Sequence, residues 1–483
     1  MDDAYGLVSY ARRSQMTRAT RREFVAGAVG ALAGAEALHA APPGRPPNIL
    51  FILADDMGFA DLSCYGRREY RTPALDTLAQ QGTRFTSAYA NSSVCTPSRV
   101  ALLTGRYQQR LPIGLEEPLS QRNVGLPAAQ PTLASLLRAR GYATHLIGKW
   151  HLGKLPDYGP LQSGYEEFWG IRGPTVDYFT HAYNNEADLW DGDTHIEQTG
   201  YLTDLLADKT VESLERLRKS ARPWLISLHF TAPHWPWEGP KDQAESARLA
   251  AIKTRGALRH FDGGDMKTYA AMVTRMDEQI GRVLETLRRL GMRSDTVIVF
   301  TSDNGGERFS DNYPFTGRKT ELLEGGLRVP AIVRWPGLSR PGTTSDSQIM
   351  TMDWLPTFVA AAGGAVDAPV ASDGVDIRRA VAGEALPGRT LFWRYRNRKQ
   401  QAARRGDWKY LEINGNSFLF NVVADPMERA NLKLRQPSTF EALHAAWTAW
   451  NATMLPEDPE ANSSGLTSDQ LADHFDEGEQ SAR

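Results

Sequence analysis

Segments of mostly apolar residues recur along the first two thirds of the chain. They cover residues 48–54, 142–148, 224–230 and 296–302, and a shorter one covers residues 85–89. Apolar segments of this length are typical of strands whose two faces are both covered. We therefore predict that these segments are strands inside a sheet.

Helices are predicted between these strands. Residues 266–290 place apolar side chains at helical spacing, and residues 132–140 and 201–219 are also predicted to be helical. A shorter helix over residues 72–81 has a proline in its first turn and is followed by Gly82, as is common at helix ends. Strands that alternate with helices in this way predict an α/β fold with a mainly parallel sheet.

Two regions of this α/β part lack a regular period. Residues 155–200 are rich in glycine, aspartate and aromatic residues, and residues 238–265 are polar. We expect long surface loops over residues 155–200, where enzymes often carry their specificity.

The pattern changes in the last third of the chain. Short antiparallel strands are predicted over residues 390–395, 402–413 and 417–422. Asn414 and Gly415 form a strong hairpin-turn signal, and residues 438–454 are predicted to form a helix. This part is therefore expected to be a smaller domain with a short antiparallel sheet.

Together these patterns predict the fold class and the domain boundaries. The fold is a large mixed, mainly parallel sheet sandwiched by helices, plus a smaller C-terminal α+β domain with a short antiparallel sheet. The predicted divisions are an export signal over residues 1–40, a catalytic domain over residues 41–376, a sheet-plus-helix subdomain over residues 377–455 and a disordered acidic tail over residues 456–483.

Composition narrows the functional classes. The chain has 483 residues, of which 41% are hydrophobic and 23% are charged, as in soluble globular enzymes. A net charge of −2 gives no sign of a nucleic-acid partner or of a polybasic membrane contact. Two cysteines do not make a disulfide scaffold, although a bridge between Cys64 and Cys95 stays possible in an oxidising compartment.

The N-terminus has the features of an export signal. Arg21 and Arg22 lie in a segment similar to a twin-arginine motif, an apolar run over residues 25–38 follows, and Ala40 ends a small-residue cleavage site. This order predicts a periplasmic or secreted protein that uses export machinery. A cytosolic amphipathic leader is the alternative. The remaining chain has no segment apolar enough for stable membrane insertion.

Cys95 lies at the predicted start of a helix. Thr96 is expected to cap this helix, Pro97 to occupy its first position, and Arg99 to add positive charge one turn later. Free N–H groups at a helix start favour an anion, which makes Cys95 a candidate nucleophile or modified residue. A buried structural cysteine is the alternative.

Polar side chains follow the predicted strands at their carboxyl ends. They are Asp55, Asp56, Lys149, His151, His234, Asp303 and Asn304. Ligands of open α/β sheets bind at this edge. Polar residues after a single strand are more often part of an ordinary turn. Carboxylate and amide oxygens suit Ca²⁺ or Mg²⁺ and do not suit zinc.

Basic side chains are expected around the same edge. They are Arg99, Lys149, His151, His234 and Lys319. Each one alone is more often a solvated or structural residue, but together they favour a tetrahedral oxyanion ester as ligand. Lys319 precedes a glycine-rich segment over residues 324–330, which is consistent with a loop that closes over a site.

These motifs together resemble the sulfatase family. The matching segments include Cys95-Thr96-Pro97-Ser98-Arg99, Gly148-Lys149-Trp150-His151, Pro233-His234, Ser302-Asp303-Asn304-Gly305-Gly306 and Glu324-Gly325-Gly326. The resemblance extends from about residue 47 to about residue 432, and the chain looks most like the arylsulfatase A and N-acetylgalactosamine-6-sulfatase branch of the alkaline-phosphatase-like superfamily. It implies a sulfuric ester hydrolase that acts on a sulfated small molecule or carbohydrate.

The resemblance also implies a nucleophile and a metal. Cys95 is expected to be converted to formylglycine by a maturation enzyme, and its hydrated aldehyde is expected to attack the sulfate ester. Asp55, Asp56, Asp303 and Asn304, together with an oxygen of the modified Cys95, are expected to hold one divalent cation. Calcium is the expected ion, and magnesium is possible.

The same resemblance implies roles for the basic residues. Arg99 and the metal favour the hydrated aldehyde, while Lys149 holds the sulfate and the nucleophile. His234 is the expected general acid for the leaving alcohol, with Lys319 bridging to the sulfate. His151 is the expected base that removes the remaining hydroxyl proton, after which sulfate leaves and the aldehyde re-forms.

Two other functions stay open from the sequence. A phosphate or phosphonate ester hydrolase of the same superfamily would need further His and Asp ligands for a second metal, and Lys149 and Lys319 are expected in their place. A non-catalytic glycan-binding relative is the other alternative, and the complete set of ligands and acid–base residues argues against it.

Overall fold

The computed structural model describes residues 45–465, apart from residue 185 and residues 253–256 and 366–370. These described residues all belong to one compact unit. The predicted export signal over residues 1–40 lies outside them. None of the helices among the described residues is long and apolar enough to cross a membrane.

Strands and helices are interspersed as far as residue 361, and antiparallel strands with two further α-helices follow in the described part of the chain. The strands are β1 (Asn48–Ala54), β2 (Thr83–Phe85), β3 (Ala88–Tyr89), β4 (Ala143–Gly148), β5 (Glu167–Gly170), β6 (Ala182–Tyr183), β7 (Glu186–Ala187), β8 (Trp190–Asp191), β9 (Thr194–His195), β10 (Trp224–His229), β11 (Thr296–Ser302), β12 (Ala331–Arg334), β13 (Thr343–Ser345), β14 (Ile349–Met350), β15 (Thr390–Tyr395), β16 (Gln400–Arg405), β17 (Trp408–Ile413) and β18 (Asn416–Asn421). The helices are α1 (Pro73–Gln80), α2 (Cys95–Thr104), α3 (Leu133–Arg138), α4 (Leu202–Leu217), α5 (Gln243–Ala251), α6 (Met266–Arg289), α7 (Glu324–Leu327), α8 (Trp354–Ala361), α9 (Arg378–Val381) and α10 (Pro437–Asn451).

The large sheet has ten strands in the order β13-β2-β12-β11-β1-β10-β4-β5-β8-β9. Its centre is parallel: β1 lies between β10 and β11, and β4 continues the sheet beyond β10. The strand β12 runs antiparallel to β11. The predicted large, mixed and mainly parallel sheet is confirmed.

Helices cover both faces of this sheet. Successive residues of β1 point to opposite faces, and they enter two different apolar clusters. Leu50 and Ile52 pack in a cluster that includes side chains of α1, α4 and α6, whereas Phe51 and Leu53 pack in one that includes side chains of α2, α3 and α8. This double burial explains why the central strands are apolar at almost every position.

The smaller sheet is antiparallel and has four strands, β15-β16-β17-β18. The helix α10 packs against it, and Trp447 donates its indole N–H to the carbonyl of Trp393 at 2.9 Å. The single strand predicted over residues 402–413 is wrong, because a turn that contains Gly406 divides it into β16 and β17. The separate small sheet is confirmed, and its boundary near residue 377 stays a prediction.

The loops predicted over residues 155–200 are partly wrong. The strands β5 and β8 extend the large sheet there, and Trp169 and Tyr178 are buried. Both side chains join the apolar cluster on one face of the large sheet, but an irregular segment separates them, so no regular period appears in the sequence. The strand predicted over residues 85–89 is likewise divided, since β2 and β3 belong to different sheets.

The disordered tail predicted over residues 456–483 is wrong for residues 456–465, which the structure describes. Ser463 forms a parallel bridge with Glu117, and the Asp458 carboxylate accepts from Arg122 at 2.7 Å. Polar composition suggested disorder, but these polar groups have specific partners elsewhere in the fold. Residues 466–483 lie outside the described part.

Candidate active site

The predicted site residues meet at one edge of the large sheet. The strands β1, β4, β10 and β11 are parallel neighbours, so the segments that follow their carboxyl ends start side by side. Asp55 and Asp56 follow β1, Lys149 and His151 follow β4, His234 follows β10, and Asp303 and Asn304 follow β11.

Hydrogen bonds join the polar residues that follow β1 to those that follow β11. Asp56 donates its backbone N–H to Oδ1 of Asp303 at 3.2 Å, and Asn304 donates its amide to Oδ1 of Asp56 at 2.7 Å. Arg99 donates from Nε and Nη2 to Oδ2 of Asp303, at 3.1 and 2.9 Å. Asp55, Asp56, Asp303 and Asn304 are all buried.

The chemistry of this acidic group fits a divalent cation. Oδ1 of Asp55 and Oδ1 of Asn304 are buried and accept no hydrogen bond from any described residue. Burial and the nearby Asp303 raise the pKa of Asp55 to about 8, so its carboxylate lacks sufficient positive charge around it. Asp55, Asp56 and His234 offer atoms within 4.8 Å of one another. The carboxylate and amide oxygens of Asp55, Asp56 and Asn304 are the ligand type that Ca²⁺ and Mg²⁺ prefer.

Cys95 is the first residue of α2, with Val94 as its N-cap. The predicted start at Thr96 and Pro97 is wrong by two residues, because the backbone N–H of Ser98 already reaches back to the Val94 carbonyl. Cys95 and Cys64 are both free, which excludes the possible bridge. Burial raises the pKa of the Cys95 thiol against the opposing effect of Lys149, so the unmodified thiol is a poor nucleophile.

Each of the two lysines of the site contacts one of the adjacent aspartates. Lys149 is completely buried and its Nζ lies 2.5 Å from Oδ2 of Asp55. Lys319 donates to Oδ2 of Asp56 at 2.6 Å and contacts Nε2 of His234 at 3.2 Å. Two fixed cations therefore flank the candidate metal ligands.

His234 is held between a carbonyl and a lysine. Its Nδ1 lies 2.7 Å from the Trp235 carbonyl, which can only accept, so Nδ1 carries the proton and Nε2 faces Lys319. Burial, Lys319 and Lys149 keep the pKa of His234 well below its ordinary value. The imidazole is therefore neutral before an anion binds beside it.

His151 also carries one ring proton, but on Nε2, whereas His234 carries it on Nδ1. Its Nε2 lies 3.0 Å from the Leu119 carbonyl, so Nε2 donates and Nδ1 keeps a lone pair. Nδ1 lies 3.3 Å from Oγ1 of Thr96, next to Cys95 in the chain. Burial and Lys149 keep the pKa of His151 well below its ordinary value, so its imidazole is neutral and Nδ1 carries no proton.

The structure adds site residues that the sequence reasoning missed. Glu307 is buried and lies 3.6 Å from Nζ of Lys319. His229 ends β10, and its Nδ1 lies 3.3 Å from the Lys149 carbonyl; burial and Arg99 lower its pKa to about 3. The position of His229 at a strand end could have indicated it, whereas no spacing signal indicated Glu307.

Comparisons with known proteins give one family. A family model described as Sulfatase matches residues 47–365, which include every site residue named above. Steryl-sulfatase of Mus musculus is 32% identical over 87% of this chain and 85% of its own length. Arylsulfatase A of Homo sapiens is 32% identical over 81% of this chain and 79% of its own.

A solved structure supports the same fold. The crystal structure of Ps i-CgsB in complex with k-i-k-neocarrahexaose has a TM-score of 0.77 and 28% identity. The match covers 87% of this chain and 95% of that chain. The similarity therefore extends through the large sheet and most of the remaining fold.

Proposed function

This chain belongs to the sulfatase family and is a sulfuric ester hydrolase, and we propose that it removes sulfate from a carbohydrate through a formylglycine made from Cys95. The observation that carries this proposal is the pair of contacts from Lys149 to Asp55 and from Lys319 to Asp56. These lysines provide fixed positive charge beside one cation site. This arrangement favours hydrolysis of a singly charged sulfate ester over hydrolysis of a phosphate ester by two metal ions.

One divalent cation belongs to this proposal. Asp55, Asp56, Asp303 and Asn304 would hold it together with an oxygen at residue 95. Calcium is preferred over magnesium because Ca²⁺ accepts many protein oxygen ligands, whereas Mg²⁺ keeps several waters and takes only one or two carboxylates. When bound, such an ion polarises sulfate oxygens and favours ionisation of a hydroxyl group.

The modification of Cys95 follows from the chemistry that the site needs. A buried thiol with a raised pKa is a weak nucleophile, and a serine in its place would be left as a stable sulfate ester. A hydrated aldehyde has two hydroxyl groups, so one can attack sulfur while the other allows sulfate to leave. A maturation enzyme is therefore a proposed partner.

The contacts of His234 and His151 support their proposed roles as acid and base. His234 and Lys319 act together as the general acid, since Lys319 donates toward Nε2 of His234 and the charge of a bound sulfate ester favours the cationic pair. His151 acts as the base through Nδ1. Lys149 and Arg99 orient the sulfate and residue 95.

A carbohydrate is the proposed substrate class. The similar structure of Ps i-CgsB was solved in complex with k-i-k-neocarrahexaose. In this chain the Trp235 ring lies 4.3 Å from the His234 ring, centroid to centroid, and 5.8 Å from Nζ of Lys319. A partly buried aromatic ring beside the acid offers a surface against which a sugar can pack.

Parallel assays test this function. Wild-type protein and a Cys95→Ala variant are compared on a sulfate ester and the matching phosphate ester, and the fraction of formylglycine at residue 95 is measured by mass spectrometry. We expect sulfate hydrolysis to rise with that fraction and to disappear in Cys95→Ala. Activity of fully unmodified protein, or faster phosphate hydrolysis, contradicts the proposal. Binding without turnover by modified protein supports a glycan-binding relative instead.

The predicted export signal and the periplasmic or secreted location stay part of the proposal. Export of a folded protein allows Cys95 to be modified before it leaves the cytoplasm. Fractionation of cells that express the full chain tests this, because a protein retained with its first 40 residues in the cytoplasm contradicts it.

A further inference from the structure

The C-terminal strap, residues 458–464, lies along residues 116–118. Glu117 donates its backbone N–H to the Asn462 carbonyl, and Ser464 donates its own to the Glu117 carbonyl, both at 2.8 Å. The Asn462 side chain donates to the Pro118 carbonyl at 2.7 Å. The strap therefore holds this segment by its backbone, as a neighbouring strand would.

Side chains fasten the strap at both of its ends. The Ser463 hydroxyl donates to Oε2 of Glu117 at 2.6 Å, and this carboxyl group is buried. Arg122 donates from Nη1 to Glu116 at 2.9 Å and to Asp458 at 2.7 Å. A buried acceptor that loses its donor is costly, so the strap and residues 116–118 are fixed relative to each other.

The next residue of this segment contacts the active site. The Leu119 carbonyl accepts from Nε2 of His151 at 3.0 Å, and the Leu119 N–H donates to Oγ1 of Thr96 at 3.0 Å. A carbonyl oxygen only accepts, so its position determines which nitrogen of His151 carries the proton. Nδ1 then keeps its lone pair, and it lies 3.3 Å from Oγ1 of Thr96, the residue that follows Cys95 in α2.

We infer that the strap is a positioning element, which holds residues 116–119 so that the Leu119 carbonyl keeps His151 in its Nε2-protonated form. This role rests on the proposed function, in which Nδ1 of His151 removes the proton of the remaining hydroxyl at residue 95. As that O–H bond breaks, the C=O bond of the aldehyde forms, the C–O bond to sulfate breaks, and sulfate leaves with the electron pair.

The variant Asn462→Ala/Ser463→Ala tests the strap. Its control is Asn421→Ala/Ser339→Ala, which removes half-buried side chains of the same two types. Their hydrogen bonds are local, between Asn421 and residues 423 and 424 and between Ser339 and residue 335. The first readout is the nitrogen NMR spectrum of the His151 ring in unmodified protein, assigned with His151→Ala. We expect a single Nε2-protonated form in wild type and control, and a mixture of both tautomers in the strap variant.

Kinetics of modified protein give the second readout. Loss of the base slows the release of sulfate and leaves the earlier attack unchanged, so kcat should fall by about 10- to 100-fold. The ratio kcat/KM, which ends at the first irreversible step, should stay within about two-fold of wild type. The fraction of residue 95 that carries sulfate during turnover should increase. Ser463→Thr keeps the hydroxyl and should retain more of the wild-type kcat than the double variant does.

Clear results would overturn this role. An unchanged tautomer of His151, or equal losses of kcat and kcat/KM without retained sulfate, shows that the strap only stabilises the fold. If the double variant fails to fold, the same NMR measurement on Asn462→Ala alone decides. Failure of the proposed function is seen separately, because wild-type protein with formylglycine would then lack sulfate hydrolysis.

Discussion

Each of the three buried aspartates of the site lies closest to a different cationic side chain. The pairs are Asp55 with Lys149, Asp56 with Lys319, and Asp303 with Arg99. With Glu307 beside Lys319, four carboxylates face three cations, so a bound divalent cation would change the net charge of the site from negative to positive. A positive, buried site favours an anionic ester and strengthens every hydrogen bond to its oxygens.

At the residue scale, His234→Ala tests the general acid. Substrates with acidic phenol leaving groups need little proton donation, so their kcat/KM should fall only slightly. Alcohol or sugar sulfates need the proton, and their kcat/KM should fall by about 10²- to 10⁴-fold. The measurement is kcat/KM across a series of sulfate esters with increasing leaving-group pKa.

The exposed His195 provides the matched control for this experiment. His195→Ala should leave the whole series unchanged. An equal loss for phenol and alcohol sulfates in His234→Ala would show that His234 binds the sulfate and does not donate the proton.

At the scale of elements, the site is built where parallel strands end beside one helix start. The helix α2 brings Cys95 and Arg99 to the edge at which β1 and β11 end, and Arg99 joins them through Asp303. Residues 116–119 and the strap close the side that contains His151. The catalytic geometry therefore depends on segments that are far apart in the chain.

The contact between the strap and Glu117 predicts a pH dependence of stability. Burial raises the pKa of Glu117 from 4.5 to about 7, so the folded protein keeps a proton that the unfolded chain releases. The stability from this proton is present below about pH 4.5 and is lost as the pH rises through about 7. Glu117→Gln keeps an oxygen that can accept from Ser463 and Arg396 and removes the titration.

The expected result is a difference that grows with pH. Relative to wild type, Glu117→Gln should gain about 2–3 kcal/mol in its free energy of unfolding between pH 5 and pH 8. Urea unfolding at both pH values measures this. The exposed Glu186 provides the control Glu186→Gln, whose difference from wild type should be the same at both. A constant difference for Glu117→Gln would contradict the prediction.

At the scale of the whole molecule, a buried charge network joins the large sheet region to the small sheet. Lys409 of β17 lies 3.0 Å from Glu324 of α7 and 2.9 Å from Glu428. Arg328 contacts the second oxygen of Glu324 at 2.7 Å. Because α7 follows the loop that carries Lys319, this network ties the small sheet to the active-site region.

Lys409→Met should therefore destabilise the whole fold. The substitution leaves Glu324 and Glu428 close together without their shared cation, which should cost about 3–5 kcal/mol. The free energy of urea unfolding measures this loss, and Lys409→Met/Glu428→Gln should recover part of it. The control Lys241→Met removes an exposed lysine, and an equal effect of both lysine substitutions would contradict the prediction.

The sequence by itself determined the main strands, most helices and the residues that follow the strand ends. Burial on both faces leaves an apolar run, and helical packing leaves a period, so both can be detected locally. Motifs such as Cys95 to Arg99 also indicated the family and the chemistry of the site.

Only the tertiary structure decided which groups are partners. It paired Lys149 with Asp55 and Lys319 with Asp56, divided residues 402–413 into two strands, and ordered residues 458–464 against residues 116–118. These outcomes depend on contacts between residues far apart in the chain, and local composition carries no record of such contacts. For the same reason the protonated nitrogens of His151 and His234 follow from their neighbours in space and not from the sequence.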